Sequence, residues 1–277
     1  MKIIQKKVIA VTGGKGGVGK TQIAANIATL LASKNQNTFL LDGDFGLANV
    51  DLVVGVKTKF NLYHFLYEGM SLDEIVTTAP SGLKLISGGS GIQKLAQLSR
   101  AQQANLIKAF DDIYDKTDNL IIDTAAGLHE SVCQLLSASA NIIIVINKEI
   151  TSIKDAYALI KIVSNYYQKD SFQVIVNMAS SEAEGQATFK HFIRIVNQFL
   201  NVNIELLGII PNDEYIRKAI IKQQPVVEAF PGSKSAKAFH AIVNRLDQVS
   251  QTAPTGGISF FFEKLMLEQN GFQQGVS

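Results

Sequence analysis

Seven short apolar runs punctuate the chain, at 8–12, 38–42, 83–87, 119–123, 141–146, 172–177 and 205–210. In several, such as Asn141-Ile142-Ile143-Ile144-Val145-Ile146, the apolar residues are successive rather than alternate. Alternation marks a sheet with one wet face, whereas continuous apolarity marks strands covered on both faces, as in a parallel sheet. Longer stretches with helical spacing lie between them, at 20–33, 100–115, 152–168, 185–200 and 235–249. Strand–helix alternation of this kind predicts an α/β fold, a doubly wound and mostly parallel sheet flanked by helices. Ligands in such sheets bind at the carboxyl ends of the strands.

The pattern changes near the end. Residues 251–257 are polar with one Pro and two Gly, which predicts a linker between a domain of residues 1–250 and a tail of residues 258–277. In the tail Ile258, Phe261, Phe262, Leu265 and Met266 share one stripe, predicting a short C-terminal amphipathic helix. Its charges are Glu263 and Glu268 against Lys264. Anionic lipid would therefore give it little electrostatic help. A groove on its own domain, a partner protein, and a membrane contact through residues 258–269 are all open, with a switchable protein contact favoured.

The chemistry is concentrated where the first strand ends. Gly14-Lys15-Gly16-Gly17-Val18-Gly19-Lys20-Thr21 satisfies the phosphate-loop pattern and opens the first helix at Thr21-Gln22. The glycines let backbone N–H groups curl round an anion, and the helix N-terminus adds partial positive charge. Lys20 is placed to neutralise the β- and γ-phosphates of ATP, or the β-phosphate of ADP, and the Thr21 hydroxyl to ligate Mg2+. The motif does not require Lys15. A cation so early in the loop can serve a nucleotide held by a second copy of the chain.

Composition narrows the class. The chain has 277 residues, 47% hydrophobic and 18% charged, with net charge +2. That suffices for one sizeable core but gives no large positive field, so no direct specific nucleic-acid binding is expected. The single cysteine, Cys133, forbids an internal disulfide and a cysteine metal site, and fits a cytoplasmic location. Its surroundings predict a helix, with a buried and inert thiol. No run of eighteen apolar residues occurs, and no secretory signal is expected.

Two acids close further strands. Leu40-Leu41-Asp42-Gly43-Asp44 brings a carboxylate pair towards the phosphate loop, where water and Mg2+ are managed. Leu120-Ile121-Ile122-Asp123 has the form of a Walker B element, able to hold Mg2+ directly or through water. Asn177 ends a later strand with an amide able to pair with an adenine edge, and Pro211 to Asp213 end the last one. His64, His129, His191 and His240 carry no partner pattern.

The form Lys-Gly-Gly-Val-Gly-Lys-Thr resembles the deviant Walker A motif of the MinD/ParA ATPases. Gly46-Leu47-Ala48-Asn49-Val50-Asp51, Asp123-Thr124-Ala125-Ala126-Gly127, Thr151 to Lys161, Glu228-Ala229-Phe230-Pro231 and Phe260-Phe261-Phe262-Glu263-Lys264-Leu265 resemble the flagellar-number regulators within it, the FlhG/FleN branch. The resemblance implies that Lys15 crosses an ATP-bridged homodimer interface, that the protein is monomeric with ADP or without nucleotide, and that hydrolysis is slow and dimer-dependent. It assigns water orientation to Asp44 with Asn49 nearby, and adenine contacts to Asn177, Pro211 and Asp213. It further implies regulation of polar flagella through an NtrC-type activator of the FleQ/FlrA type, the FlhF GTPase and flagellar switch proteins, in the cytoplasm with the inner membrane or cell pole left open. A division-site or chromosome/plasmid partitioning ATPase is the alternative.

Overall fold

The computed structural model describes residues 6–44, 49–88 and 117–249, together with Lys108 and Ala109. Linker 251–257 and the tail lie outside the described residues, as does the helix expected over 100–115 but for those two helical positions.

An eight-stranded sheet forms the centre, with β1 (Lys7–Thr12), β2 (Thr38–Gly43), β3 (Thr77–Thr78), β4 (Lys84–Ile86), β5 (Asn119–Thr124), β6 (Asn141–Ile146), β7 (Ser171–Ala179) and β8 (Asn203–Pro211). The spatial order is β3-β4-β2-β5-β1-β6-β7-β8. All pairs are parallel except β3 with β4. The seven expected strands are present with slightly shifted ends. The short antiparallel β3 is an addition, because two residues leave no readable periodicity.

Helices cover both faces. α1 (Lys20–Ser33), α2 (Val50–Val54), α3 (Leu62–Glu68), α4 (Leu72–Ile75), α5 (Glu130–Ala138), α6 (Ile150–Tyr167), α7 (Glu182–Phe199), α8 (Glu214–Ile221), α9 (Val226–Ala229) and α10 (Lys234–Val249) follow in chain order. β1, β2 and β5 are buried at every position, which is why their sequences do not alternate. Ile122, Ile144, Leu159 and Phe192 lie in one core, between the sheet and α3 to α7. Ile23, Leu40, Ile121, Ile143 and Phe239 lie in the other, under α1, α2, α9 and α10. Asn26 sits within α1 and accepts from the Val227 N–H at 3.1 Å, joining α1 to α9.

At the amino end of the sheet, Lys7 from β1 reaches Asp247 Oδ1 at 3.1 Å and the Leu246 carbonyl at 3.3 Å. Lys34, just past α1, reaches Asp247 Oδ2 at 3.2 Å. One carboxylate near the end of α10 thus receives both. Burial alone would raise Asp247, but the two lysines outweigh it and hold its carboxyl below the usual range.

Candidate functional site

The phosphate motif links the end of β1 to the start of α1, at the carboxyl end of the central strand. Gly19 precedes α1 at φ 94°, ψ 22°, a left-handed conformation that favours glycine, and no side chain caps the helix. The first N–H groups of α1 are therefore directed at whatever lies over the loop. On its other flank the loop presses on α6, where a Cβ at Gly14 would fall 2.3 Å from the Asp155 backbone. Above Gly16 and Gly17 an added Cβ would meet nothing within 4 Å, so a concave side stands open. Lys20 is buried beneath it at 8% exposure, its Nζ 3.5 Å from the Lys15 carbonyl. Burial lowers its pKa, while the charges of Asp123 and Asp44 push it back up.

Asp123 and Asp44 act on this ammonium, and Asp42 lies close to both acids. Asp42 accepts from the backbone N–H of Asp44 at 3.1 Å and of Val50 at 3.3 Å, with the Asn49 N–H contributing. It thus ties together both ends of the segment after β2. Burial raises its carboxyl to about 6 despite these donors. Asp123, next to last in β5, is at 1% exposure, and neither carboxylate oxygen has a partner at full hydrogen-bond geometry, the Thr21 hydroxyl alone lying close. Burial pushes it up to about 7, and the neighbouring Thr21 hydroxyl eases it down only in part. Thr124 beside it donates to the Val11 carbonyl at 3.1 Å, pinning the strand end to β1. Two orphaned buried carboxylate oxygens next to a hydroxyl form the donor set of a hard cation such as Mg2+, so Thr21 and Asp123 fit that role.

These acids make the nucleotide-free protein pH-sensitive. An unfolded aspartate titrates near 3.8, while Asp42 and Asp123 titrate near 6 and 7 when folded. Between those values the folded state holds protons the unfolded chain has lost. The stability these two acids contribute is therefore fully present at low pH and is lost as pH rises through 6 and 7. The thermal midpoint without nucleotide is expected to fall from pH 5 to pH 8. Asp123→Asn should flatten the fall and remove the added stabilisation by Mg2+. A wild-type midpoint that rises over this range would contradict the assignment.

Lys15 takes a different direction. It pairs with Glu149 and donates to the Thr151 hydroxyl at 3.0 Å, at the start of α6. The hydrogen bond from Lys15 lowers the Glu149 carboxyl. Beside Glu149, Ile150 is 81% exposed.

On the opposite flank a cleft of about 160 Å3 opens beside the loop. Gly19, Gln22, Asn177, Met178, Pro211 and Asp213 contribute to its lining. Asn177 is buried, donating to the Val18 carbonyl at 2.8 Å and accepting from the Met178 N–H at 2.9 Å. The Gln22 amide oxygen is buried without a partner. Asp213 caps α8 by accepting from the Tyr215 N–H at 3.1 Å, and accepts from the Ser235 hydroxyl at 2.8 Å and its N–H at 2.9 Å. Burial would raise Asp213, but those donors hold it low.

A family model described as "ParA: NUBPL iron-transfer P-loop NTPase" matches residues 4–247. The chain belongs to the ParA/MinD family of P-loop NTPases. It is 42% identical over 261 residues to the antiactivator FleN of Pseudomonas aeruginosa, covering 94% of this chain and 93% of FleN. It is 32% identical to the flagellum site-determining protein YlxH of Helicobacter pylori, covering 94% and 90%. Among solved structures, the septum site-determining protein MinD complexed with Mg-ADP from Pyrococcus horikoshii shares the fold. Its TM-score is 0.70 at 22% identity, covering 89% of this chain and 98% of that one.

In this ParA/MinD-family chain, Lys15, Lys20, Thr21, Asp44 and Asp123 meet at one end of the sheet, with Gln22, Asn177, Pro211 and Asp213 beside them. Asn49 is exposed at the start of α2 without a side-chain capping bond, its backbone N–H directed to Asp42. Gly46 to Ala48 lie outside the described residues. Sequence reasoning missed Glu149 as the partner of Lys15, and Met178. An acid just past the carboxyl end of β6, facing a loop lysine, was the available signal for Glu149. Among the described residues no helix is long and apolar enough to cross a membrane.

Proposed function

We propose that this chain is an ATPase that regulates flagellar number and placement by switching between monomer and ATP-bridged dimer. One observation carries the switch. Lys15, the extra cation of the phosphate loop, turns to the exposed rim at Glu149 rather than inward with Lys20. Ile150 beside that contact is 81% exposed, and a second copy carrying a γ-phosphate would give Lys15 a stronger anion than one carboxylate. The flagellar assignment draws on the likeness to FleN and YlxH.

In this reading Lys20 and the loop N–H groups hold the phosphates, Thr21 and Asp123 hold Mg2+, and Asp44 orients water. Hydrolysis is slow and requires the dimer, so the nucleotide acts as a timer. The partners proposed are an NtrC-type activator of the FleQ/FlrA type, the FlhF GTPase and flagellar switch proteins. Residues 258–277 are proposed to provide a contact released on dimerisation. Deleting the gene and counting flagella per cell tests the assignment. Unchanged flagella with displaced septa or lost chromosomes would favour the division or partitioning alternative.

Lys15→Ala tests the switch. The variant should bind ADP as the wild type does, remain monomeric with ATP, and release phosphate at least about tenfold more slowly. Light scattering with ATP and with ADP reads the outcome, and a variant that still dimerises fully would sink the cross-interface role.

A further inference from the structure

A second cleft, of about 410 Å3, shares no residue with the site above. Val54 and Gly55 line it from the end of α2, and Pro80 from the turn between β3 and β4. Gln223 and Gln224 line it from just past α8, and Glu228 from α9. At its base two backbones touch. A Cβ at Gly55 would fall 2.2 Å from the Gln223 carbonyl oxygen. Both residues are left-handed, Gly55 at φ 74° and Gln223 at φ 53°. At Gly55 the close approach requires glycine. At Gln223 a glycine would be at home after a helix end, yet an amide side chain stands there. Strain of this kind gathers at functional sites.

The charge of this cleft favours a cation. Gly55 caps α2 and Lys222 caps α8, so the carboxyl ends of both helices meet here. Such an end carries partial negative charge. Glu228 adds a carboxyl, raised by its surroundings and eased down by the Ser81 hydroxyl. Among the described residues it has no ion-pair partner. Lys222 is on the rim, but its Nζ rests 4.8 Å from the centre of the Phe230 ring. Each flank also shows an aliphatic side chain to solvent, Leu52 of α2 at 53% and Ile221 of α8 at 82%. One such side chain is ordinary on a surface. Two of them, on the two elements that form one charged cleft, suit a protein segment better than a small solute.

We propose that this cleft docks an extended segment of a protein partner, with an arginine side chain of that segment entering against Glu228 and its apolar neighbours meeting Leu52 and Ile221. Arginine fits better than lysine. Its planar fork can donate to the Glu228 carboxylate and to the amide oxygens of Gln223 and Gln224 together. The nucleotide site uses none of Glu228-Ala229-Phe230-Pro231, and docking gives that segment a role. The proposal stands whether or not the chain hydrolyses ATP.

The test uses the full chain, isotope-labelled at nitrogen and titrated with the end-blocked tripeptides Leu-Arg-Leu and Leu-Asp-Leu and with methylguanidinium. The amide resonances of Gly55 and Gln224 should move with Leu-Arg-Leu and stay in place with Leu-Asp-Leu. Methylguanidinium should bind at least about threefold more weakly than Leu-Arg-Leu, because it lacks the backbone and the apolar side chains. Glu228→Gln should weaken Leu-Arg-Leu about fivefold or more and leave ADP affinity unchanged. Gln223→Gly should weaken it about twofold or more and melt no lower than the wild type, because glycine accepts the left-handed backbone. Preference for Leu-Asp-Leu would overturn the proposal and give the cleft to Lys222. Equal affinity for methylguanidinium and Leu-Arg-Leu would leave a small-cation site and overturn the docking. Undiminished binding of Leu-Arg-Leu by Glu228→Gln would also overturn it.

Discussion

Lys20→Ala is expected to lose ATP affinity by about 100-fold or more, measured by direct titration of the folded variant. The size follows from where the ammonium sits. It lies buried under an open loop, with the Lys15 carbonyl at the limit of hydrogen-bonding distance. Its charge is thus held in reserve for an anion, and backbone N–H groups alone cannot neutralise a triphosphate. Burial already disfavours the charge in the free protein. Its removal should therefore leave the thermal midpoint without nucleotide unchanged or higher, which distinguishes lost binding from lost folding. Near wild-type affinity in this variant would refute the phosphate role of the loop.

The second large effect is on turnover. Asp44→Ala should bind ATP with wild-type affinity, dimerise, and release phosphate about 100- to 10,000-fold more slowly. Asp44 lies close enough to Lys20 and Asp123 to influence the protonation of both. Unlike Asp123 it is only part-buried, not enclosed at the base of the site. Its removal should therefore spare structure and metal, so that the ATP-bound dimer accumulates. Phosphate release and light scattering on one sample decide it, and a variant that turns over normally would remove Asp44 from the chemistry.

Much of this was legible in the chain for one physical reason. Strands buried on both faces must be apolar at successive positions, and β1, β5 and β6 are. The phosphate loop was legible because its glycines and cations are consecutive. The short helices were not: α2, α4 and α9 span less than two turns, too little for a helical period to repeat. Glu149 lies 134 residues from Lys15, and only the parallel pairing of β6 with β1 brings them together. Met178 was hidden for a related reason. It sits where three steps along β7 match two along β8, and neither strand shows that alone.

The double grip on Asp247 has a mechanical consequence. β1 leads into the phosphate loop and α1 leads out of it, and the remote ends of both close on one carboxylate of α10. The three elements form a frame with the loop as one short side and the ion pairs as the other. A twist applied at the loop would reach the end of α10 as torque through β1 and α1, two stiff rods that both run through the core. The joint is part-exposed on the Lys34 side and buried on the Lys7 side, and an exposed ion pair is worth up to about 1 kcal/mol, so the frame gives first at the Lys34 contact.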